Sequence, residues 1–351
     1  MRSIVTESNA TPVIPTMMRA AMFRAHGGPE QVCVETIPTP RPARHEALLR
    51  VRAVALNGFD PMVLRGIPGL PTPLPMIPCA DAAGEIAALG PDVDPARWPI
   101  GQRVGIVPIR PGVGMIGETL PGVAAQYVSI PTAALLPLPD TVSDAQAACL
   151  PTAYGTAMRM IHTRARVTRG DRVLILGAAG GVGTACVQLA RLAGAEVIAC
   201  AETDPALAHL RALGADHVID TATQDYLSVI HDRFGKPSIW GGGGVDVVID
   251  FVGGDNWARS IACLTRRGRL VTCGASAGFE VATDLRYVWS FEIDIIGSNG
   301  WEAADQVRLL EMVAKGSLAP VIHATRPLAE YPAALRELMA RAVFGKSLLE
   351  P

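Results

Sequence analysis

The sequence predicts an α/β protein in which a doubly wound parallel sheet is joined to a second, β-rich domain. Three observations predict it: a glycine-rich turn between an apolar strand and a helix at 171–202, further alternation of strands and helical segments to residue 315, and short strands broken by proline and glycine before residue 139. Regular alternation of strands and helices is typical of a parallel sheet that helices cover on both faces.

The first observation is the run DRVLILGAAGGVGTACVQLARLAGAEVIACAE at 171–202. Its apolar residues at 173–176 predict a buried parallel strand, and 184–194 predicts the helix that follows the turn. Gly180 and Gly181 let phosphate oxygens approach the backbone N–H groups, and Gly183 lets the helix pack tightly on the strand. The run therefore predicts a dinucleotide whose pyrophosphate lies on the amino end of the helix.

An acidic residue supports this prediction. Glu202 follows the second apolar strand, at 197–200, about twenty positions beyond the glycines, where a ribose hydroxyl is normally bound. Ala178 stands in the place of the first glycine of the usual GxGxxG spacing, a variation that its small side chain permits. The alternative, a glycine-rich hairpin, does not account for the helical run.

The other elements follow from the same patterns. Residues 19–139 predict a β-rich, partly barrel-like domain. The alanine-rich run 143–161 predicts a helix that leads into the second domain, and residues 318–351 are predicted to return to the first domain. Strands are predicted at 47–55, 103–107, 245–251, 269–273 and 294–296, a helix at 303–315, and a flexible turn at 241–244.

The composition excludes several classes of function. The chain has 351 residues, 49% of them hydrophobic and 18% charged, with a formal net charge of −2; two domains with large cores are expected, and no basic surface for nucleic acid. No apolar stretch approaches about twenty residues, so no transmembrane helix is expected. The seven cysteines form no CxxC pair and suit reduced thiols in the cytoplasm. Residues 1–16 are expected to be a disordered tail.

Several further motifs point to one family. They are HGGPE at 26–30, VRAVALNGFDPMVLRG at 51–66, PCADAAGEIAALG at 78–90, AAGGVG at 178–183, LGAD at 213–216, GVDVVID at 244–250 and FGK at 344–346. With these motifs, residues 19–351 resemble the medium-chain dehydrogenase/reductase superfamily, and within it the zinc-free quinone oxidoreductase (zeta-crystallin-like) branch. The resemblance implies a GroES-like substrate domain at 17–142 and 318–351, a Rossmann dinucleotide-binding domain at 143–317, an active site between them, and a homodimer formed through the edge of the Rossmann sheet.

The resemblance also bears on metals. The zinc enzymes of the family hold a catalytic zinc through a cysteine and a histidine, whose matching positions here are Asn57 and Ala80, and neither residue is a zinc ligand. The region 108–122, where a structural zinc would need four cysteines, has none. No zinc is therefore expected. Without a Lewis acid to stabilise an alkoxide, reduction of an electron-poor acceptor is favoured over oxidation of a simple alcohol.

The predicted cofactor contacts lie in the glycine-rich turn and at the ends of strands. The resemblance implies pyrophosphate contacts at the residues of the turn, Thr156 near the nicotinamide, and Lys346 near the phosphates. Residues directly after the later strands lie at the carboxyl edge of the sheet, where ligands bind, although they could equally be turn formers. The pyrophosphate contacts are Gly180, Gly181, Val182 and Gly183, and the edge residues are Phe251, Val252, Gly253, Gly274, Ala275, Ser276, Ser298 and Asn299. AVFGKS around Lys346 also resembles the end of a Walker A loop, but Ala340 replaces the first glycine and ATP binding is not expected.

The choice of cofactor depends on charge after the second strand. AETDPALA at 201–208 contains two carboxylates and no base, which favours NADH because a 2′-phosphate needs cationic or hydroxyl partners. Family members that use NADPH tend to carry a serine near Glu202 and a lysine near Ala206. The alternative is that Glu202 is a solvated loop acid and an arginine such as Arg211 binds the phosphate.

The catalytic residues are less well defined by the sequence. Relatives that reduce quinones or enones often carry tyrosines near Met62 and Pro68, and neither residue can donate a proton. Asn57 could hydrogen-bond a substrate carbonyl, and Asp60 could orient it or relay a proton, unless it only holds the local turn. The candidates for an apolar substrate wall, unless they are core residues, are Met62, Ile67, Met115, Trp289 and Trp301.

Together these observations predict a zinc-independent NAD(P)H-dependent oxidoreductase that transfers hydride to a quinone or an α,β-unsaturated carbonyl. An alcohol dehydrogenase or a biosynthetic enoyl reductase is the alternative within enzymes. An alternative of another class is a non-catalytic dinucleotide-binding structural or sensor protein. The expected partners are a small-molecule carbonyl or quinone and a second copy of the chain, with neither nucleic acid nor membrane.

Overall fold

The computed structural model describes residues 13–351. Most of the predicted N-terminal tail, residues 1–12, lies outside the described residues. In chain order the strands are β1 (Met17–Phe23), β2 (Val32–Pro38), β3 (Glu46–Ala55), β4 (Asp81–Leu89), β5 (Arg103–Ile106), β6 (Ile109–Arg110), β7 (Gly114–Met115), β8 (Tyr127–Pro131), β9 (Leu135–Pro137), β10 (Arg172–Ile175), β11 (Glu196–Ala201), β12 (His217–Asp220), β13 (Val245–Ile249), β14 (Leu264–Thr272), β15 (Asp294–Gly297), β16 (Ile322–Pro327) and β17 (Lys346–Glu350).

The helices cover the sheets and connect their strands. They are α1 (Asp60–Arg65), α2 (Asp144–Cys149), α3 (Gly155–Met158), α4 (Gly181–Leu192), α5 (Asp204–Leu213), α6 (Tyr226–Phe234), α7 (Asn256–Ala262), α8 (Leu285–Phe291), α9 (Ala303–Ala314) and α10 (Tyr331–Met339), with 3-10 turns at Pro29–Gln31, Thr132–Ala134 and Leu328–Glu330.

Strands β10 to β15 form the predicted Rossmann sheet. Their order is β12-β11-β10-β13-β14-β15, and every pairing between them is parallel. Successive residues of β10 enter two different cores, with Val173 in the one beneath α4 and Leu174 in the one beneath α6 and α7. Burial on both faces explains why this strand is apolar throughout. The strand order reverses between β10 and β13, which is where a ligand binds in such sheets.

The β-rich part of the chain forms a second sheet. Its strand order is β16-β17-β3-β4-β5-β9, and β8 pairs with the opposite half of β3. Because β17 lies antiparallel to β3, with Leu348 opposite Ala55, the C-terminal segment of the chain completes this sheet. The two sheets confirm the predicted fold class, a Rossmann domain with a GroES-like domain.

The predicted helix at 143–161 is a continuous but irregular helical run. It begins with a capping box, in which Ser143 Oγ accepts from Gln146 N and the Gln146 side chain accepts from Ser143 N. Two π-helical segments, Leu150–Tyr154 and Arg159–Arg164, interrupt the α-helical geometry. Such segments are rare and are frequent at functional sites, and the first of them contacts the polar network described below.

Other boundaries differ from the sequence prediction by a few residues. Strand β14 begins at Leu264 rather than at 269, and its pairing with β13 changes register between Val245 and Val247. The glycines at 241–244 all have positive φ. Within the described residues the cysteines are free thiols, and no helix there is both long and apolar enough to cross a membrane.

Candidate active site

The glycine-rich turn leaves open space at the amino end of α4. Gly180 precedes the first turn in an extended conformation, and a Cβ placed there would have no neighbour closer than 3.8 Å. A Cβ at Gly183 would lie 2.5 Å from the Ala178 Cα, so this position must be glycine for the helix to pack on the turn. The space at Gly180 fits phosphate oxygens that accept hydrogen bonds from the first N–H groups of α4.

The other predicted pyrophosphate contacts lie at the start of α4, and Thr156 lies on the neighbouring helix α3. Val182 lies in the first turn of α4 and packs against the core. The backbone of Gly181 lies against Lys346, because a Cβ there would be 2.8 Å from the Lys346 Cδ. Thr156 is buried in α3, which packs on α4. Thr156 therefore lies on a helix that neighbours the helix following the turn.

The segments that follow β13, β14 and β15 lie side by side and line an open cleft with a volume of about 520 Å³. Its lining includes five of the predicted cofactor residues: Gly253, Gly274, Ala275, Ser298 and Asn299. The Ser298 hydroxyl is buried and has no hydrogen-bond partner within residues 13–351, which makes Ser298 the one residue of this lining with an unsatisfied buried side-chain polar atom. Three of the eight residues predicted at this edge of the sheet are not in the lining: Phe251, Val252 and Ser276. They lie at the same edge, where Ser276 N donates to Phe251 O at 3.2 Å.

Asp250 shapes this edge of the sheet, and sequence reasoning missed it. Its Oδ1 accepts hydrogen bonds from Val252 N and Gly253 N, both at 2.9 Å, and its Oδ2 accepts from Ser260 Oγ at 2.8 Å. The residue is fully buried. A carboxylate directly after the buried apolar run 247–249 was the available signal.

Glu202 follows β11 as predicted, and it has a partner from the other domain. Arg341, which precedes β17, places its Nη1 3.4 Å from Glu202 Oε1. Both side chains are more than half exposed, so the pair itself adds little stability. Arg341 is therefore a cation beside the predicted ribose site that the sequence did not indicate.

A buried polar network lies where the two domains meet. Asn57 Nδ2 donates to Asp81 Oδ2 at 2.9 Å, and Asn57 Oδ1 accepts from Lys346 Nζ. Asp81 also accepts from Thr152 Oγ1 at 2.7 Å and from Thr152 N at 3.1 Å. Burial raises the pKa of the Asp81 carboxyl, and Lys346 opposes that shift. Asp81 directly follows Ala80 in the PCADAAG motif, but sequence reasoning did not single it out.

Lys346 lies beside the glycine-rich turn, but its ammonium points away from it. The Nζ donates to Leu56 O at 2.6 Å as well as to Asn57, and lies 3.9 Å from Asp81 Oδ2. The residue is 2% exposed. In this conformation the ammonium serves the polar network, whereas the predicted role was a contact with the cofactor phosphates.

Asp60 opens α1 and is buried beside Asn57. Its Oδ2 accepts from Asn57 N at 2.7 Å and lies 3.8 Å from Cys79 Sγ, which is in turn 3.6 Å from the Tyr331 hydroxyl. Its Oδ1 has no hydrogen-bond partner in the described part of the chain. Burial raises the pKa of Asp60 to about 7, although the Asn57 N–H and Lys346 act in the opposite direction.

The predicted substrate wall is brought together only in part. Trp301 packs against Gly155, and Ile109, which pairs with Met115, lies next to Gly300. Met62 lies on α1 and Ile67 just beyond it, both partly buried. Trp289 is 65% exposed on α8 and lies on an open surface rather than in an enclosed pocket.

The donor set at this site does not suit zinc. Within residues 13–351, no three His, Cys, Asp or Glu side chains form a group that could hold a metal ion. Asn57 has its oxygen on the Lys346 ammonium, whose charge would repel a cation. Zinc in proteins is held by Cys, His and carboxylate ligands in a tetrahedral array. The asparagine amide and lysine ammonium at this site do not provide such ligands.

Together, a Rossmann sheet with an open helix terminus, a GroES-like sheet and a buried polar site between them define a dinucleotide-dependent oxidoreductase. Comparison with known proteins agrees with this class. Residues 43–140 match the family model for the alcohol dehydrogenase GroES-like domain, and residues 181–315 match the model for zinc-binding dehydrogenase.

Individual relatives extend over nearly the whole chain. A 2-haloacrylate reductase from Burkholderia sp is 30% identical over 350 residues, which cover 95% of this chain and 99% of the relative. A quinone oxidoreductase from Mus musculus is 29% identical over 319 residues, or 89% and 91% of the two chains. A solved structure described as an NAD-dependent alcohol dehydrogenase superposes with a TM-score of 0.88 at 33% identity, covering 95% of this chain and all of the other.

The chain belongs to the medium-chain dehydrogenase/reductase superfamily, in its quinone oxidoreductase branch. It is an NAD(P)H oxidoreductase of that type, which confirms the predicted enzyme class and nicotinamide cofactor. The alternative of a non-catalytic binding protein is not supported.

Proposed function

We propose that the protein is a zinc-independent reductase that transfers hydride from a reduced nicotinamide cofactor to a quinone or an α,β-unsaturated carbonyl. One observation carries the proposal: the position that matches a zinc ligand in the family's zinc enzymes is Asn57, and it contacts a buried ammonium instead of a set of metal ligands. Acceptors of this class are electron-poor before they bind. They need orientation and polar support for a developing oxyanion rather than a Lewis acid.

One group of residues would bind the cofactor, and a second group would orient the acceptor. When bound, the cofactor supplies the hydride. Gly180 to Gly183 would bind its pyrophosphate, Glu202 the adenosine ribose, and Ser298 with its neighbours in the cleft the nicotinamide end. Asn57 would donate a hydrogen bond to the acceptor oxygen. Asp60, with a pKa raised to about 7, is able to hold or release a proton near neutral pH.

We propose NADH as the preferred cofactor. Two carboxylates, Glu202 and Asp204, follow β11, and their charge would repel a 2′-phosphate more strongly than the single guanidinium of Arg341 would attract it. The description of a related structure as an NAD-dependent enzyme supports the same choice.

We also propose the domain limits 17–142 with 318–351 and 143–317, a cytoplasmic location, and a homodimer. The pairing of β17 with β3 supports the first, and the free thiols support the second. The homodimer is supported by β15 at the edge of the Rossmann sheet, where Ile295 is 41% exposed, and by Leu285 and Trp289 on α8, exposed by 63% and 65%.

A stopped-flow panel tests the function. NADH and NADPH oxidation are each followed with quinones, enones, enoyl thioesters and aldehydes, and NAD⁺ reduction with simple alcohols, on protein assayed for metal. We expect turnover with quinones or enones, a higher kcat/KM for NADH than for NADPH, and no loss of rate with a chelator. Alcohol oxidation without reduction of any quinone or enone would instead support an alcohol dehydrogenase, and about one equivalent of zinc would contradict the metal assignment.

A further inference from the structure

We infer that Lys346 is a positioning residue that acts on the acceptor through Asn57 and is not a ligand of the cofactor phosphates. The inference rests on the proposed function, because it assigns to Asn57 the hydrogen bond to the acceptor oxygen. It adds a task for the lysine: it sets the orientation and strength of that hydrogen bond.

The path of the lysine side chain is the first argument. Its stem passes the backbone of Gly181, close to where a pyrophosphate would bind, yet the ammonium continues beyond it. At its end, Nζ donates to Leu56 O at 2.6 Å and to Asn57 Oδ1. A contact with phosphate would require both bonds to break, leaving two buried acceptors without a donor, which costs free energy.

The second argument concerns the orientation of the Asn57 amide. An asparagine side chain can exchange its oxygen and nitrogen by rotation, and only its partners decide which orientation holds. Here a cation fixes the oxygen, and the Asp81 carboxylate fixes one amide hydrogen at 2.9 Å. The other hydrogen has only a 3.5 Å contact with Ala55 O, at the limit of hydrogen bonding. This weakly used hydrogen is the one available to an acceptor oxygen.

The third argument is polarisation. The positive charge of Lys346 on the amide oxygen draws electron density from the amide nitrogen and makes its N–H groups stronger donors, while the Asp81 carboxylate holds one of the two hydrogens in place. The charges around the amide are Lys346, Asp81 at 0% exposure and Asp60 at 3%. A buried charge pair is weak support for stability, so its presence beside the predicted donor is better explained by this function.

Steady-state kinetics and binding measurements separate the two roles of the lysine. For Lys346→Met we expect kcat with the acceptor to fall about 100-fold, as for the loss of a donor to an oxyanion. The Kd for NADH, measured by fluorescence, should change less than about two-fold. The kcat of the Asn57→Ala variant should fall by a similar factor. The kcat of the double variant Asn57→Ala with Lys346→Met should fall no further than that of either single variant, because both substitutions remove the same hydrogen bond to the acceptor. A ten-fold weaker binding of NADH with kcat retained would overturn the inference, and so would additive losses.

A variant in which the polar network carries no charge at positions 81 and 346 is the control for a loss of folding. Lys346→Met leaves Asp81 as a buried charge with fewer partners, so the double variant Asp81→Asn with Lys346→Met is made alongside it. If the single variant fails to fold, the double variant is assayed in its place, with the same expected loss in kcat and the same unchanged NADH affinity. A double variant with the kcat of the parent protein would contradict the inference.

A crystal structure of the NADH complex tests the inference without turnover. We expect Lys346 Nζ within hydrogen-bond distance of Asn57 Oδ1 while the cofactor is bound. Nζ on a phosphate oxygen would overturn the inference even if the enzyme reduces quinones. If instead the protein reduces no quinone or enone at all, the proposed function fails, and the position of Nζ still decides whether the lysine belongs to Asn57 or to the phosphates.

Discussion

Asp60 shows how one residue's environment can make the fold sensitive to pH. An ordinary aspartate has a pKa of 3.8, and burial raises that of Asp60 to about 7. A folded-state pKa above the unfolded one favours the protonated folded protein. The contribution of this group to stability is therefore complete below about pH 4 and is lost as the pH rises to about 7.

The Asp60→Asn variant removes this titration. We expect the free energy of unfolding of the parent protein to fall between pH 5 and pH 8 relative to that of the variant, by up to about 3 kcal/mol. Urea unfolding at both pH values measures the difference. The matched control is Asp140→Asn at an exposed carboxylate, which should follow the parent protein. Equal pH dependence in the parent protein and Asp60→Asn would contradict the assignment.

The same scale shows what the sequence can predict of a site. The need for glycine at position 183 follows from close packing of a helix on a turn, a local constraint that motif spacing records. The direction of the Lys346 ammonium does not follow from spacing, because it is decided by Leu56 and Asn57, which lie about 290 positions away in the chain. Arg341 beside Glu202 was missed for the same reason.

At the scale of elements, the amino end of α4 separates binding from stability. A Cβ at Gly180 meets open space, whereas one at Gly183 would collide with the backbone of the turn. We therefore expect Gly180→Val to weaken NADH binding about 30-fold or more with a nearly unchanged Tm, because the new side chain occupies the space meant for phosphate. Gly183→Ala should instead lower stability by about 1–3 kcal/mol.

Titration calorimetry with NADH and thermal unfolding measure the two effects on both variants. Gly183→Ala serves as the control for Gly180→Val, since the two sites differ by one turn of the same helix. Unchanged NADH affinity in folded Gly180→Val would refute the placement of the pyrophosphate.

Some boundaries of helices and strands could be predicted from the sequence pattern and others could not. Strand β10 was found within one residue because burial on both faces leaves an apolar run with sharp ends. The start of β14 was missed because its first half, LTRRG, is polar, and it is a strand through its pairing with neighbours rather than through its own apolar pattern. The hydrophobic pattern does not predict the π segments of the helical run near 150, although Pro151 in the first of them has no backbone N–H to donate to a regular helix.

At the scale of the whole molecule, the two domains share more than a connecting chain. The network from Thr152 through Asp81 and Asn57 to Lys346 joins the helical run before β10 to the strands of the GroES-like sheet. Leu348 of β17 and Ala53 of β3 also belong to the core beneath α4. The proposed reaction at the domain boundary would therefore depend on residues from both domains that this network holds in place.

The exposed edge of the Rossmann sheet gives the last prediction. Strand β15 has an open edge, and exposed apolar side chains lie on it and on the neighbouring α8, which suits pairing with a second copy of the chain. We expect a dimer by light scattering, and Ile295→Lys should weaken it about 100-fold because it places a charge on the edge strand. The matched control is Trp240→Lys. The Trp240 side chain is 88% exposed and precedes the glycines at 241–244, far from β15 in the sequence, so this substitution should leave the dimer intact. A monomeric parent protein, or a dimer that dissociates only in Trp240→Lys, would exclude the sheet edge as the interface.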